Sequence, residues 1–244
     1  VRIDPKTFEP IFKVIGIENW SNEPEFAEQV ESVGVTGICG SGIVEVIAEM
    51  FLREIVSSDG VIYCPSKKAE RYLVKTDRTY KYVIYNGVIE ISVSQKDIRA
   101  IQLAKAALFA GVRLLMDKIN VNEVSQIKLA GAFGSYIDPK YAMILGLIPD
   151  CDLGKVSSIG NAASTGARMA LLNRKLRHEI QEEVEKIEKI ETAMETRFQE
   201  HFVNAMAFPN KVEKFPLLRS KVSLPSLSKI DNVRRGSRNR RRKI

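Results

Sequence analysis

Three short glycine turns hold the residues best suited to chemistry in this chain of 244 residues. They are Gly37-Ile38-Cys39-Gly40-Ser41-Gly42, Gly131-Ala132-Phe133-Gly134 and the stretch from Gly160-Asn161 to Gly166. A glycine turn that leaves a strand and opens a helix offers unpaired backbone N–H groups at the positive end of the helix dipole. With no Cβ in the way, a phosphate or a nucleotide edge can come close. The plainer reading is that each glycine solves a tight turn or a close helix contact, but recurrence of the pattern in order favours ligand binding. No Gly-Lys-Ser/Thr follows any of the turns, and none forms G-x-G-x-x-G with a ribose-binding acid, so a P-loop NTPase and a Rossmann dehydrogenase are disfavoured.

Covalent and metal chemistry find little support. The three cysteines, Cys39, Cys64 and Cys151, are far apart and form no C-x-x-C. That count suits a reducing cytoplasm and cannot supply a four-thiolate iron–sulfur site. The only histidines, His178 and His201, have no partner at ligand spacing, which disfavours a zinc site or a Ser/His/Asp triad.

The elements that position the turns follow from the hydrophobic pattern. Ile11 to Ile17 reads as a short strand. Ile43, Ile47, Met50 and Phe51 fall at helical spacing after the first turn, with Asp59-Gly60 closing that unit. Asn86-Gly87 between two β-rich runs predicts a hairpin over residues 82–93. Ser94, with Asp97 three residues on, opens a long helix that stops near Asn120. Its expected core face is Ile98, Ile101, Leu108, Val112, Leu115 and Ile119, with the middle of the helix deeply buried. Ile127 to Ala130 reads as a strand entering the second turn. Asp138-Pro139 then reads as N-cap and first residue of a helix ending near Gly146. Val156 to Ile159 is a strand entering the third turn, followed by a small-residue helix to Leu172. Strand, glycine turn, helix occurs twice, so the class is α/β.

From Arg174 to Glu191, eleven of eighteen residues are charged, around a narrow stripe of Leu176, Ile180, Val184, Ile187 and Ile190. A further helix runs through Phe198, Phe202 and Met206 to Phe208-Pro209. Beyond Pro216 no periodicity remains, so residues 217–244 are expected to be a disordered tail. The formal charge of +7 belongs to that tail: residues 229–244 hold eight of the 37 basic and one of the 30 acidic side chains, leaving 29 of each elsewhere. A basic run of this kind can bind phosphate backbones, but a solvated end has the same composition. No apolar run approaches the ~18–20 residues of a membrane span, and no signal segment is evident. The opening Val1-Arg2-Ile3-Asp4-Pro5 reads as the interior of a longer chain.

Gly37-Ile38-Cys39-Gly40-Ser41-Gly42-Ile43, the block from Leu129-Ala130-Gly131-Ala132-Phe133-Gly134 to Asp138-Pro139, Gly146-Leu147-Ile148-Pro149 and Ile159-Gly160-Asn161-Ala162-Ala163 strongly resemble the C-terminal domain of the reductive activators of corrinoid proteins. The resemblance continues through Phe198 to Phe202 and Phe208-Pro209, roughly residues 1–210, and is most specific from Leu129 to Pro149.

The resemblance implies an actin/sugar-kinase/Hsp70-like (ribonuclease H-like) ATPase lobe, a mixed sheet flanked by helices. Residues 1–173 would form the second lobe and 174–210 a helical extension of it. It implies an ATP-dependent electron-transfer protein that restores Co(I) in an inactivated Co(II) corrinoid for methyl transfer, with a [2Fe–2S] domain supplying the electron. By position, Gly40, Ser41 and Gly42 would lie near the nucleotide cleft. Gly131, Ala132, Phe133 and Gly134 would form the adenosine-binding turn, and Gly160 and Asn161 would open the helix behind it. ATP or ADP with Mg²⁺ is the expected cofactor, and no catalytic or metal-binding residue is assigned within the chain. The cluster cysteines and the acidic phosphate loops of the first lobe are absent here. Asp152-Leu153-Gly154 mimics such a loop, but no hairpin strand precedes it. The chain alone is therefore expected neither to hydrolyse ATP efficiently nor to transfer an electron.

The implied partner is a corrinoid protein of a methyltransferase system, in the cytoplasm, with a second copy of the chain as a further candidate. Three other readings are an activase for another metalloenzyme such as an acyl-CoA dehydratase, a nucleic-acid-binding protein acting through the tail, and an interaction module using the Arg174–Glu191 helix.

Overall fold

A computed structural model of the chain describes residues 1–77 and 79–225. The basic run 229–244 lies outside the described residues. Strands β1 (Arg2–Ile3) and β2 (Pro10–Ile11) form a small antiparallel ribbon, shorter than the strand expected to reach Ile17. Helix α1 (Phe26–Val33) and an extended stretch then lead into α2 (Gly40–Leu52). In α2 the expected Ile47, Met50 and Phe51 are buried and Ile43 is only partly so, but burial runs unbroken from Val46 to Phe51 instead of following one face, which makes it a central core helix.

Strands β3 (Leu73–Lys75), β4 (Tyr80–Asn86) and β5 (Glu90–Val93) form an antiparallel sheet in that order. The hairpin is the expected one, but its loop is Gly87-Val88-Ile89, because Asn86 pairs with Glu90 instead of turning.

Helix α3 (Gln95–Lys118) begins where the capping residues place it. The Asp97 carboxylate accepts the N–H and the hydroxyl of Ser94, at 2.8 and 2.7 Å. It ends before Asn120, whose φ of 56° is left-handed. Its buried face differs from the apolar stripe read in the sequence. Leu108 is 50% exposed, and Leu115 and Ile119 are more exposed still, whereas Ile98, Gln102, Lys105, Ala106, Phe109 and Ala110 are buried.

The reason is a strap of chain at residues 206–210. Gln102 Nε2 donates to Met206 O at 2.7 Å, and Lys105 Nζ to Ala207 O and Pro209 O at 2.5 and 2.7 Å. The strap is also tied to the core by Phe208 N–H to Ser58 O (2.8 Å) and by Phe208 against Phe51. Gly146 (φ 72°) lets Pro209 O come so close that a Cβ there would sit 2.1 Å from it. Burial among these groups holds the Lys105 ammonium down to about 7.

Helix α8 (Thr196–Ala205) packs along α3, and there Asp117 binds His201 Nε2 at 2.7 Å and Arg197 at 2.9 Å. A short helix α9 (Pro216–Lys221) occupies the start of the stretch expected to lack order. Asp150 caps it, accepting the N–H groups of Leu217 and Leu218 at 2.8 and 2.9 Å, and Leu218 is fully buried. One buried side chain and a distant carboxylate thus order a segment too short to show a period.

The remaining elements carry the glycine turns. Strand β6 (Ile127–Leu129) pairs in parallel with β7 (Val156–Ser158), Ile127 opposite Val156 and Leu129 opposite Ser158. Helices α4 (Gly131–Tyr136) and α5 (Pro139–Leu145) follow β6, and α6 (Ala162–Leu172) and α7 (Arg174–Glu185) follow β7. Asp138 caps α5 through Lys140 N–H, with Pro139 in its first turn and Gly146 left-handed at its end. In Asp152-Leu153-Gly154, Asp152 caps a single 3₁₀ turn (Leu153–Lys155) by accepting the Gly154 N–H at 3.1 Å. No helix among the described residues is long and apolar enough to cross a membrane.

Candidate nucleotide site

The three turns meet. Strands β6 and β7 are parallel, so their carboxyl ends lie side by side and the turns that leave them touch: Gly131 N–H donates to Gly160 O at 2.8 Å, and Ile159 N–H to Leu129 O at 2.9 Å. Gly131 and Gly160 both have positive φ, at 94° and 67°, and an added Cβ on either would meet nothing within 4 Å. Above these two Cα atoms the surface is open. In open α/β sheets ligands gather at such strand ends.

The first turn joins them through one contact. The Phe133 ring lies over Gly40 so closely that a Cβ at Gly40 would stand 2.6 Å from Phe133 Cε2. Gly40 is therefore the residue that lets α2 and α4 approach. Phe133 keeps about half its surface exposed, at the centre of the group.

The glycines divide by role. A Cβ at Gly134 would press on the Leu129 backbone at 3.3 Å, and one at Gly42 on Cys39 and Ile38 at 3.2 Å. These two serve close packing, not an open surface. The N–H of Gly131, expected to be free for a ligand, is spent on Gly160. Asn161 is an N-cap whose Oδ1 accepts Ser164 N–H at 3.0 Å. What stays open is the Cα surface of Gly131 and Gly160, the Phe133 face, and the first-turn N–H groups of Gly40 and Ser41, which have no intrahelical acceptor.

Cys39 caps α2, a role the sequence reading missed. Its Sγ accepts Gly42 N–H at 3.3 Å and lies 3.4 Å from Ser41 Oγ. Burial pushes the Cys39 thiol up, but these hydrogen bonds outweigh it and hold the group below the ordinary thiol range. Its spacing before Gly42, like that of a Ser or Asp cap, is the signal that was available. A cavity of about 220 Å³ lies beside the first turn, walled by Phe12, Ile15, Ile38, Cys39, Gly42 and Tyr85. It does not take in the second and third turns, so the site is the open surface and not this cavity.

No group of three His, Cys, Asp or Glu among the described residues could hold a metal ion. Cys39, Cys64 and Cys151 are free and lie on separate parts of the fold, Cys151 buried. This donor set does not fit an iron–sulfur cluster.

Parallel strands with glycine turns at their carboxyl ends, each feeding a helix, define an α/β lobe whose open surface lies at its strand ends. The family model described as the C-terminal domain of RACo, the ASKHA domain, matches residues 1–219, and the chain belongs to that family. It is 37% identical over 150 residues to the corrinoid activation enzyme RamQ of Eubacterium limosum, a match covering 57% of this chain and 25% of that protein. Among solved structures it resembles a reductive activator for corrinoid, iron–sulfur protein, with a TM-score of 0.64 and 32% identity. That match covers 71% of this chain and 28% of the other. The chain thus spans about a quarter of the length of these relatives.

Proposed function

We propose that the chain is the nucleotide-binding part of an ATP-dependent reductive activator, which returns a Co(II) corrinoid protein to Co(I). Residues 1–173 form the second lobe of its ATPase domain, and residues 174–210 extend that lobe. The observation that carries the reading is the convergence of the Gly131 and Gly160 turns, linked by backbone hydrogen bonds, beneath an open surface beside Phe133. The two relatives named above support the corrinoid protein as partner.

ATP or ADP fits this surface. The Cα atoms of Gly131 and Gly160 leave room for a flat heterocycle, and the half-exposed Phe133 ring offers it an apolar face. The N–H groups of Gly40 and Ser41 at the start of α2 suit the polar end of the nucleotide. Bound Mg²⁺-ATP would supply the free energy of hydrolysis, and these residues bind and orient it. The electron comes from an iron–sulfur centre that the cysteines of this chain do not build.

Equilibrium binding of ADP to the chain tests the site. Gly131→Val places a branched side chain in the open surface and in a left-handed backbone position, and it should weaken ADP binding by at least tenfold, about 1.4 kcal/mol. Circular dichroism separates loss of binding from loss of fold. ADP affinity that is the same in a folded Gly131→Val variant would place the nucleotide elsewhere.

A further inference from the structure

Helix α7 has no buried residue, and among its neighbours it packs on α6. Leu176, Ile180 and Val184, four residues apart, form one apolar stripe along it, and Ile180 and Val184 are exposed. The charges flanking the stripe are segregated by sign. Arg174, Lys175 and Arg177 occupy the first turns, and Glu179, Glu182, Glu183 and Glu185 the later ones.

This order is the reverse of what stabilises a lone helix, where acids belong near the N-terminus and bases near the C-terminus. Ion pairs made by the helix itself do little to relieve it: they are His178 with Glu182 at 3.5 Å and Glu183 with Lys186 at 2.6 Å. Arg177 is turned back to Ala170 O at 2.9 Å, and Arg174 and Lys175 make no ion pair among the described residues. A charge layout that opposes its own helix dipole becomes favourable when the same helix lies antiparallel to it.

We infer that α7 is a self-association surface, pairing with α7 of a second copy about a twofold axis near Ile180 and Gln181. That axis sets Leu176 of one copy against Val184 of the other, Arg177 against Glu183 and Lys175 against Glu185, with each basic half facing an acidic half. A parallel pairing would stack like charges on each other. The interface is small, so the dimer is weak and salt-sensitive. The inference does not depend on nucleotide binding.

Two charge-reversed forms of the full chain test it. One carries Arg174→Glu, Lys175→Glu and Arg177→Glu; the other carries Glu182→Lys, Glu183→Lys and Glu185→Lys. Neither touches the core, and thermal melts check that both fold. Sedimentation velocity over a concentration series should show the wild type self-associating, less so at high salt. Each reversed form alone should associate on the order of tenfold more weakly, since its two halves now repel. An equimolar mixture should regain the dimer, and Ile180→Glu in both should abolish it. A wild type that stays monomeric would assign the stripe to a different partner and overturn the inference. So would reversed forms that dimerise as well alone as the wild type does, or a mixture that fails to regain the dimer.

Discussion

The face of α3 held by the strap and the surfaces around β6, β7, α6 and α7 are built on opposite terms. In the first, Phe109 packs on Phe215, Gln102 and Lys105 reach carbonyls about a hundred residues away, and Gly146 admits Pro209. In the second, two three-residue strands pair only with each other, α6 and α7 bury nothing, and Leu171 and Leu172 stand in the open. Long-range contacts hold the first region, and local caps such as Asn161 and Asn173 hold the second. The glycine turns lie at the seam, where Gly40 on the packed α2 meets Phe133 on the bare side. A site at that seam has a rigid wall and an open one.

The largest test of this contrast is a pair of neighbours on α3. Phe109→Ala should cost about 3–5 kcal/mol and Leu108→Ala less than about 1 kcal/mol, read from denaturant unfolding. Equal losses would erase the contrast. Leu218→Ala comes next, at about 2–4 kcal/mol, because its side chain is fully buried although its helix has only six residues. A loss below 1 kcal/mol would return α9 to the unordered tail.

The third test is a pH dependence. Lys105 titrates near 7 when folded and at 10.5 by its ordinary value, so between these values the unfolded chain binds more protons. Its contribution to stability therefore rises as pH climbs from 7 to 10.5 and is flat outside that window. The melting temperature of wild type minus that of Lys105→Met should increase from pH 7 to pH 10. A flat or falling difference would mean that Lys105 is not buried as a strained cation. The smallest effect belongs to the bare region: Leu171→Ser should change unfolding free energy by within about 0.5 kcal/mol. A larger loss would show that α6 is packed after all.

What the sequence made legible was local. Ser94 with Asp97, Asp138-Pro139, Gly146 and the Asn86-Gly87 neighbourhood each act within a few residues, and the elements lie where they predict. The α3 face was misread because Gln102 and Lys105 look like surface residues. Their burial depends on carbonyls of the 206–210 strap, which no spacing within α3 reveals. Helix α9 was missed for the same reason, its cap being Asp150. At the site, the three turns were visible as glycine patterns; the meeting of the second and third follows from the parallel pairing of β6 with β7, and the first joins them through Phe133 over Gly40. The division of labour among the glycines was hidden. Gly42 and Gly134 are packing residues, and Gly131 gives its N–H to Gly160, because those roles depend on which atoms face each Cα.

Lys105 has one more consequence, a chemical one. A lysine amine can be acylated by a reagent in water, yet this one is shielded by the strap, with Nζ held on the carbonyls of Ala207 and Pro209. Acylation by an amine-reactive label can occur only while residues 206–210 are lifted from α3, so its rate counts those excursions. Peptide mass mapping of Lys105 over time would make the residue a built-in clock for how often the clasp comes undone.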